Sequence, residues 1–209
     1  MFEKYPLPLA AVIRGLQTAL SSRTVRLAET VFAARPASVF FPLCWHENLV
    51  QVLFTKRAGH LSHHAGQISF PGGSRERDDP DPAFTALRET GEEIGVPCSN
   101  LEIIARLDQM TTLTGFCVTP FLGVIAPGSR LKPNREEVER IIMVPLSKVL
   151  NQEYYREEEI SWRGNSGCWM AVRHNDDIIW GATARILLAF IAALREGGLD
   201  YKIALDIPA

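Results

Sequence analysis

The sequence predicts an α/β (α+β) fold: a mixed sheet with helices packed on it. Three observations carry that expectation. β-prone runs come in clusters instead of alternating one by one with helices, which disfavours a regular βαβ repeat. One helix, over residues 82–94, is bracketed by clear start and stop signals. An apolar run at Ala182–Arg195 reads as a closing helix ended by Gly197-Gly198. With 46% apolar and 22% charged residues in 209, the chain can bury one core. This predicts a single domain over 1–209 with an N-terminal helical extension at about 1–35.

Taken in order, the elements rest on local signals. Leu9, Val12, Ile13, Leu16 and Leu20 recur at helical spacing, which predicts an amphipathic helix over 8–20. Ala37–Trp45 and Leu49–Thr55 are β-prone and flank His46-Glu47-Asn48, the pattern of a hairpin. Gln67–Phe70 predicts a short strand stopped by Pro71-Gly72-Gly73. The 82–94 helix has Asp81 as its cap, Pro82 in its first position, and Gly95 and Pro97 at its end. Leu101–Leu107, Val118–Ile125 and Val138–Val144 read as strands, and two further β-prone runs flank a hairpin turn at Arg163-Gly164-Asn165-Ser166-Gly167.

Composition removes several function classes. Lys plus Arg is 22 and Asp plus Glu 24, a formal net charge of −2. A general nucleic-acid binder carries a basic excess instead, whereas a small anionic ligand needs only a few local cations. Cys44, Cys98, Cys117 and Cys168 form no C-x-x-C pair and read as free thiols of a reducing compartment. The N-terminus has Glu3, Pro6 and Pro8 where a signal peptide has a basic start and an apolar run. The longest apolar stretch, Ile186–Leu194, falls far short of the roughly 20 residues of a bilayer span. A cytoplasmic protein with no membrane and no nucleic-acid partner is expected.

Chemistry concentrates on the 82–94 helix. Ala83, Leu87, Thr90 and Ile94 share one side and are expected to face the core, which leaves Glu89, Glu92 and Glu93 on the other side. Glu89 and Glu93 stand at i, i+4, where like charges repel by roughly a few tenths of a kcal/mol. They also lie near the helix C-terminus, where the dipole disfavours them. A divalent cation relieves that conflict, since ions such as Mg²⁺ take carboxylate oxygens. A solvated acidic face with Arg88 as partner explains the same residues equally well. Gly72 and Gly73 shift the balance, because glycines let a main-chain carbonyl turn sharply and approach a ligand.

From Gly73 to Val96 the chain reads GSRERDDPDPAFTALRETGEEIGV and resembles the Nudix box, G-x5-E-x7-R-E-U-x-E-E-x-G-U with U a bulky aliphatic residue. Arg88, Glu89, Glu92, Glu93, Gly95 and Val96 stand in the pattern's places. Thr90 occupies the first aliphatic place. The spacing from Gly73 to Arg88 is one residue longer, so Asp79 fills the early acidic place when the extra residue follows it. Upstream, LFTKRAGHLSHHAGQISFPGG is similar to the branch of the family that hydrolyses coenzyme A. Leu53, Thr55, Arg57, Ala58, Gly66, Phe70, Pro71, Gly72 and Gly73 match it. Ser62 departs, standing where that branch carries Arg, with His60, His63 and His64 as its neighbours.

The resemblance implies a Nudix-type α/β/α sandwich and Mg²⁺- or Mn²⁺-dependent hydrolysis of a pyrophosphate. In the coenzyme A branch the products are phosphopantetheine (or its acyl form) and adenosine 3′,5′-bisphosphate. It puts Glu89, Glu92, Glu93 and the carbonyl of Gly73 at the metal. Glu92, Glu93 and Arg88 become the catalytic group, with Glu92 the favoured general base and Arg88 holding a helix carboxylate. Arg57, His64 and Gly72 are the implied substrate contacts. Glu137 is a candidate extra ligand or base; a surface acid near Arg135 and Arg140 is the other reading. The implied partner is a small-molecule nucleotide, with a homodimer left open. Another nucleotide diphosphate, such as ADP-ribose, is the alternative substrate that Ser62 keeps alive. A non-catalytic Nudix-fold binding module is the third reading, opposed by the intact acids. The three histidines lack a Cys pair, so zinc is set aside, and Trp162, Trp169 and Trp180 read as core or interface.

Overall fold

The structure, a computed structural model, describes residues 4–28, 34–61, 65–162 and 164–199. Strand β1 (Arg35–His46) turns into β2 (Leu49–Arg57) through Glu47 and Asn48, both at positive φ, 51° and 59°. That is the two-residue hairpin turn whose twist matches antiparallel strands. Next come β3 (Ile68–Ser69), β4 (Gly72–Ser74), helix α2 (Pro82–Ile94) and β5 (Leu101–Arg106). They are followed by β6 (Met110–Thr111), β7 (Phe116–Ile125) and β8 (Val138–Pro145). The central sheet runs β3-β2-β1-β7-β5, with β4 on β1, β6 on β7 and β8 on β2. It is mixed because β1 and β7 pair in parallel, from Arg35↔Phe116 to Leu43↔Val124, while the other pairs are antiparallel.

Alternation along the strands builds two cores. Phe40 and Leu53 face one way and Phe41 and Phe54 the other, as the pleat requires. On the second face Phe41 stacks on Phe70 at 4.5 Å and meets Phe190 edge-on at 4.9 Å. Phe190 belongs to α4 (Gly181–Glu196), and α1 (Leu7–Ser21) packs beside it with Leu9, Ile13 and Leu16 buried. On the first face Phe40, Leu53 and Phe121 pack against Ala86 and Ile94 of α2. Each such side chain contributes roughly 1.5–3 kcal/mol on burial. The expected α/β/α sandwich is present. The N-terminal helix, expected as an extension, is a part of one helical layer.

A second sheet of β9 (Tyr155–Trp162), β10 (Asn165–His174) and β11 (Asp177–Ile179) follows the short helix α3 (Leu146–Leu150). The expected turn at 163–167 is tighter, since Asn165 already pairs with Trp162. Trp169 meets Trp180 edge-on at 5.7 Å. Among the described residues, no helix is long and apolar enough to cross a membrane.

Candidate active site

The local signals of α2 act as read. Asp81 Oδ1 accepts the Phe84 N–H at 2.8 Å, and Gly95 closes the helix at φ 69° with its N–H on Gly91 O. The loop before β8 then crosses the helix end. Lys132 N–H donates to Ile94 O at 2.8 Å and Asn134 N–H to Glu93 O at 2.9 Å. A Cβ on Gly95 would stand 2.6 Å from Lys132 O, so glycine is required by the crossing as well as by the turn. This loop delivers Glu137, whose carbonyl accepts the Ala58 N–H at 2.8 Å.

Arg88 is the hub of the acids. Its Nε and Nη2 donate to the two oxygens of Asp79 at 2.9 and 3.0 Å, Nη1 to Glu92 at 3.0 Å, and Nη2 also to Glu89 at 2.9 Å. Asp79 is buried and also accepts from Thr85 Oγ1 and from Glu76 N–H, both at 2.9 Å. The guanidinium beside it holds its carboxyl well below the usual range. The acid displaced by the extra loop residue thus anchors Arg88, and Arg88 in turn orients two helix carboxylates.

The two loop glycines divide the work. Gly72 has φ 152°, and a Cβ there would meet Ser38 O at 2.3 Å and Val39 Cα at 2.6 Å. Gly73 pairs with Ser38 in the β1–β4 ladder, and a Cβ on it would lie 2.4 to 2.6 Å from the Glu89 carboxylate. The turn freedom belongs to Gly72, while Gly73 is small so that Glu89 can lie against the backbone.

Glu93 departs from expectation. It is 3% exposed, buried under α2 instead of facing solvent with Glu92. Small residues, Ala86 and Thr90, let the Ala86–Thr90–Glu93 side of α2 settle on the sheet, while Leu87 stays half-buried. Thr55 Oγ1 donates to Glu93 Oε2 at 3.1 Å, and Arg57 Nη1 lies 3.9 Å from Oε1. Burial nonetheless pushes the Glu93 carboxyl up to about 8, with Glu137 and Glu89 adding to the push against Arg57 and Thr55. Burial raises Glu89 as well, opposed by Arg88 and reinforced by Glu92 and Glu137.

Glu137 therefore stands close enough to act on both Glu89 and Glu93. Among the described residues, no three His, Cys, Asp or Glu side chains are gathered as a ready-made metal site; Glu89 turns to Arg88, and Glu93 to Thr55 and Arg57. The donor chemistry still fits a hard divalent cation. Glu89, Glu93 and Glu137 are oxygen donors, Glu137 adds to the upward push on both Glu89 and Glu93, and a cation between such groups favours their charged forms.

Of the other candidates, Arg57 sits at an irregularity in the β2–β8 pairing, with its Nε buried and, among the described residues, without a hydrogen-bond partner. Glu92 is at the rim, its side chain 56% exposed. His60 is exposed, and Ser62, His63 and His64 lie outside the described residues. Sequence reasoning noted Thr55 only as a motif match and missed Asn134. No local signal marks either, because both act through contacts distant in sequence.

A family model described as NUDIX domain matches residues 35–163. An uncharacterized Nudix hydrolase NudL from Enterobacter sp. (strain 638) is 35% identical over 162 residues, 78% of this chain and 84% of that protein. A protein of the same description from Photorhabdus laumondii subsp. laumondii is 35% identical over 153 residues, 73% of this chain and 81% of that one. Among solved structures, a Nudix hydrolase from M. smegmatis, RenU, matches with a TM-score of 0.47 at 21% identity, over 57% of this chain and 75% of that one. The NUDIX domain of Shewanella oneidensis NrtR, complexed with ADP ribose, gives 0.42 at 18% identity, over 62% and 79%.

Proposed function

We propose, from the premise that this chain belongs to the Nudix family, that it hydrolyses the pyrophosphate bond of coenzyme A or a derivative. The products are then phosphopantetheine, or its acyl form, and adenosine 3′,5′-bisphosphate. The observation that carries the reading is the buried Glu93 carboxyl, pushed up by burial with Glu137 and Glu89 adding to the push, together with Glu89 lying against the Gly73 backbone. Two neighbouring carboxylates held above their usual range, Glu89 and Glu93, are costly for stability alone and suit a site that takes a cation.

Glu89, Glu93 and Glu137, with the Gly73 carbonyl, would hold Mg²⁺ or Mn²⁺. Such an ion, when bound, offsets the charge of a pyrophosphate and polarises its phosphoryl oxygens. The chain supplies the rest. Arg88 fixes Glu89 and Glu92. Glu92, exposed at the rim, is the proposed base that accepts a proton from the attacking water, with Glu137 as the second candidate. Arg57, its side chain 28% exposed beside Glu93, is the proposed cation for a phosphate oxygen. Positioning and electrostatics supply most of the rate in phosphoryl transfer.

The substrate assignment rests on the Thr55-x-Arg57-Ala58 start and the Gly66-x3-Phe70-Pro71-Gly72-Gly73 end of the upstream motif. In the fold this segment is bound to the acid cluster: Thr55 holds Glu93, and Ala58 holds the Glu137 backbone. Ser62 favours the second reading, another nucleotide diphosphate such as ADP-ribose. Turnover of coenzyme A, ADP-ribose and NADH with Mg²⁺ or Mn²⁺ tests both. Coenzyme A should give the highest kcat/KM. Faster ADP-ribose hydrolysis would establish the second reading, and binding without turnover of any of them would make the chain a binding module.

A further inference from the structure

Arg88 and Arg57 both stand against the acids of α2, and they are held differently. Arg88 is anchored, because its Nε and Nη2 are fixed on the two oxygens of Asp79 at 2.9 and 3.0 Å. Those bonds do not depend on what happens at Glu89. Arg57 has no such anchor. Among the described residues Glu93 is the one carboxylate it pairs with, and Nη1 lies 3.9 Å from Oε1, beyond hydrogen-bond reach. Charge alone holds the two together. The Arg57 side chain is 28% exposed, so it has a way outward.

The Arg57 backbone is pinned. Its N–H donates to Gln67 O at 2.9 Å, and its carbonyl accepts the Gly66 N–H at 3.1 Å. A change in position is therefore a change of side-chain rotamer about a fixed Cα. Glu93 is held from its other oxygen. Thr55, two residues before Arg57 and on the same face of β2, donates its hydroxyl to Oε2 at 3.1 Å, with both residues buried. Among the described residues Oε1 accepts no hydrogen bond, and it is the oxygen that Arg57 faces. A hard cation takes such an oxygen, so it and Arg57 meet at the same atom. Divalent binding adds positive charge at Glu93 whether or not a proton leaves, and a guanidinium this close opposes it.

On the reading of Glu93 as a metal ligand, we infer that Arg57 is a displaceable place-holder: it sits against Glu93 in the metal-free protein and swings to a substrate phosphate oxygen once a divalent cation is bound. Thr55 keeps Glu93 in place in both states, and Arg88 stays on Asp79. Arg57 thus opposes the metal and favours the substrate, whereas a residue that only supported the site would favour both.

The test uses the full chain with Mn²⁺ alone as the first probe, free Mn²⁺ being read from its electron spin resonance. The parent should bind Mn²⁺ and Glu89→Gln should bind it much more weakly, which establishes the site. Arg57→Gln should then bind Mn²⁺ at least about threefold more tightly, while Arg57→Lys, which keeps the charge, should stay near the parent. With saturating Mn²⁺, Arg57→Gln should raise KM at least about fivefold for whichever of coenzyme A, ADP-ribose and NADH is turned over fastest. Mn²⁺ binding that is unchanged or weakened in Arg57→Gln, with the site established, overturns the place-holder role alone. A parent that binds no Mn²⁺, or whose binding ignores Glu89→Gln, overturns the metal reading as well. An unchanged KM overturns the move to the phosphate. On the ¹⁵N-labelled parent the Arg57 Nε–H resonance should shift saturably with Mg²⁺, and a resonance that stays in place overturns the displacement whatever the variants do.

Discussion

Glu93→Gln should make the metal-free protein more stable at pH 8 and leave it nearly unchanged near pH 4.5. The Glu93 carboxyl ionises at 4.5 in its ordinary state and is pushed up to about 8 in the fold. Below 4.5 both the folded and unfolded chains hold the proton and the group contributes nothing. Between these pH values the folded state keeps a proton that the unfolded state has released, so stability falls as pH rises. At about 1.4 kcal/mol per pH unit, the loss has a ceiling of about 5 kcal/mol, reached as pH passes through about 8. Glutamine keeps the volume and an oxygen for the Thr55 hydroxyl but has no charge to bury. Urea unfolding at pH 5 and pH 8 in a chelator measures the effect. Mg²⁺ should then restore the parent at pH 8 by about 2.7 kcal/mol at a hundredfold excess over Kd, and should barely move the variant. The same variant should lose turnover by orders of magnitude, so stability and activity move in opposite directions. Equal pH slopes for parent and variant would refute the reasoning, because Glu93 would then be ionised at no cost where it is buried.

Glu89→Gln should fold normally and lose turnover by orders of magnitude, read as kcat in limiting Mg²⁺; near-normal activity would remove Glu89 from the metal. Gly73→Ala puts a methyl 2.4 Å from Glu89 Oε2, and a displacement of about 1 Å at such a site costs about 100-fold in rate, measurable as kcat with thermal unfolding as the control. Asp79→Ala should cost about 1.5–3 kcal/mol, since it removes the buried carboxylate that takes two Arg88 donors while Glu89 and Glu92 still pair with Arg88, and calorimetry would show a lowered Tm. Ser62→Arg should lower KM for coenzyme A at least several-fold and for dephospho-coenzyme A much less, because a charged hydrogen bond to the 3′-phosphate is worth about 1.5–3 kcal/mol; equal responses would detach position 62 from that phosphate.

The elements most legible in the sequence were those made by their own neighbours. Asp81, Pro82 and Gly95 bound α2 through one side-chain cap, one fixed φ and one left-handed residue, and all three act within a turn of chain. The β1–β2 hairpin was legible for the same reason, its two turn residues lying between two apolar runs. Elements of two to five residues, such as β4, β6, β11 and α3, were not. Segments so short have no periodicity of their own and exist because a longer strand or helix is already there to pair with them.

The acids show where local reading ends. By its spacing the sequence alone determined that Glu89, Glu92 and Glu93 stand on one helix behind two glycines, and the resemblance of that stretch to the Nudix box is what implied a hydrolase. Hydrophobic periodicity, however, turned α2 toward Leu87, whereas small Ala86 and Thr90 let the sheet accept the side that carries Glu93. Only the tertiary structure decided that Glu93 is buried and its carboxyl pushed up, that Asp79 anchors Arg88, and that Glu137 arrives over the helix end. The physical reason is range. Capping and turn chemistry are fixed by bonds within a few residues, but desolvation and charge coupling depend on which distant segments pack together. Thr55, Arg57, Asn134 and Glu137 meet α2 only after the chain has folded.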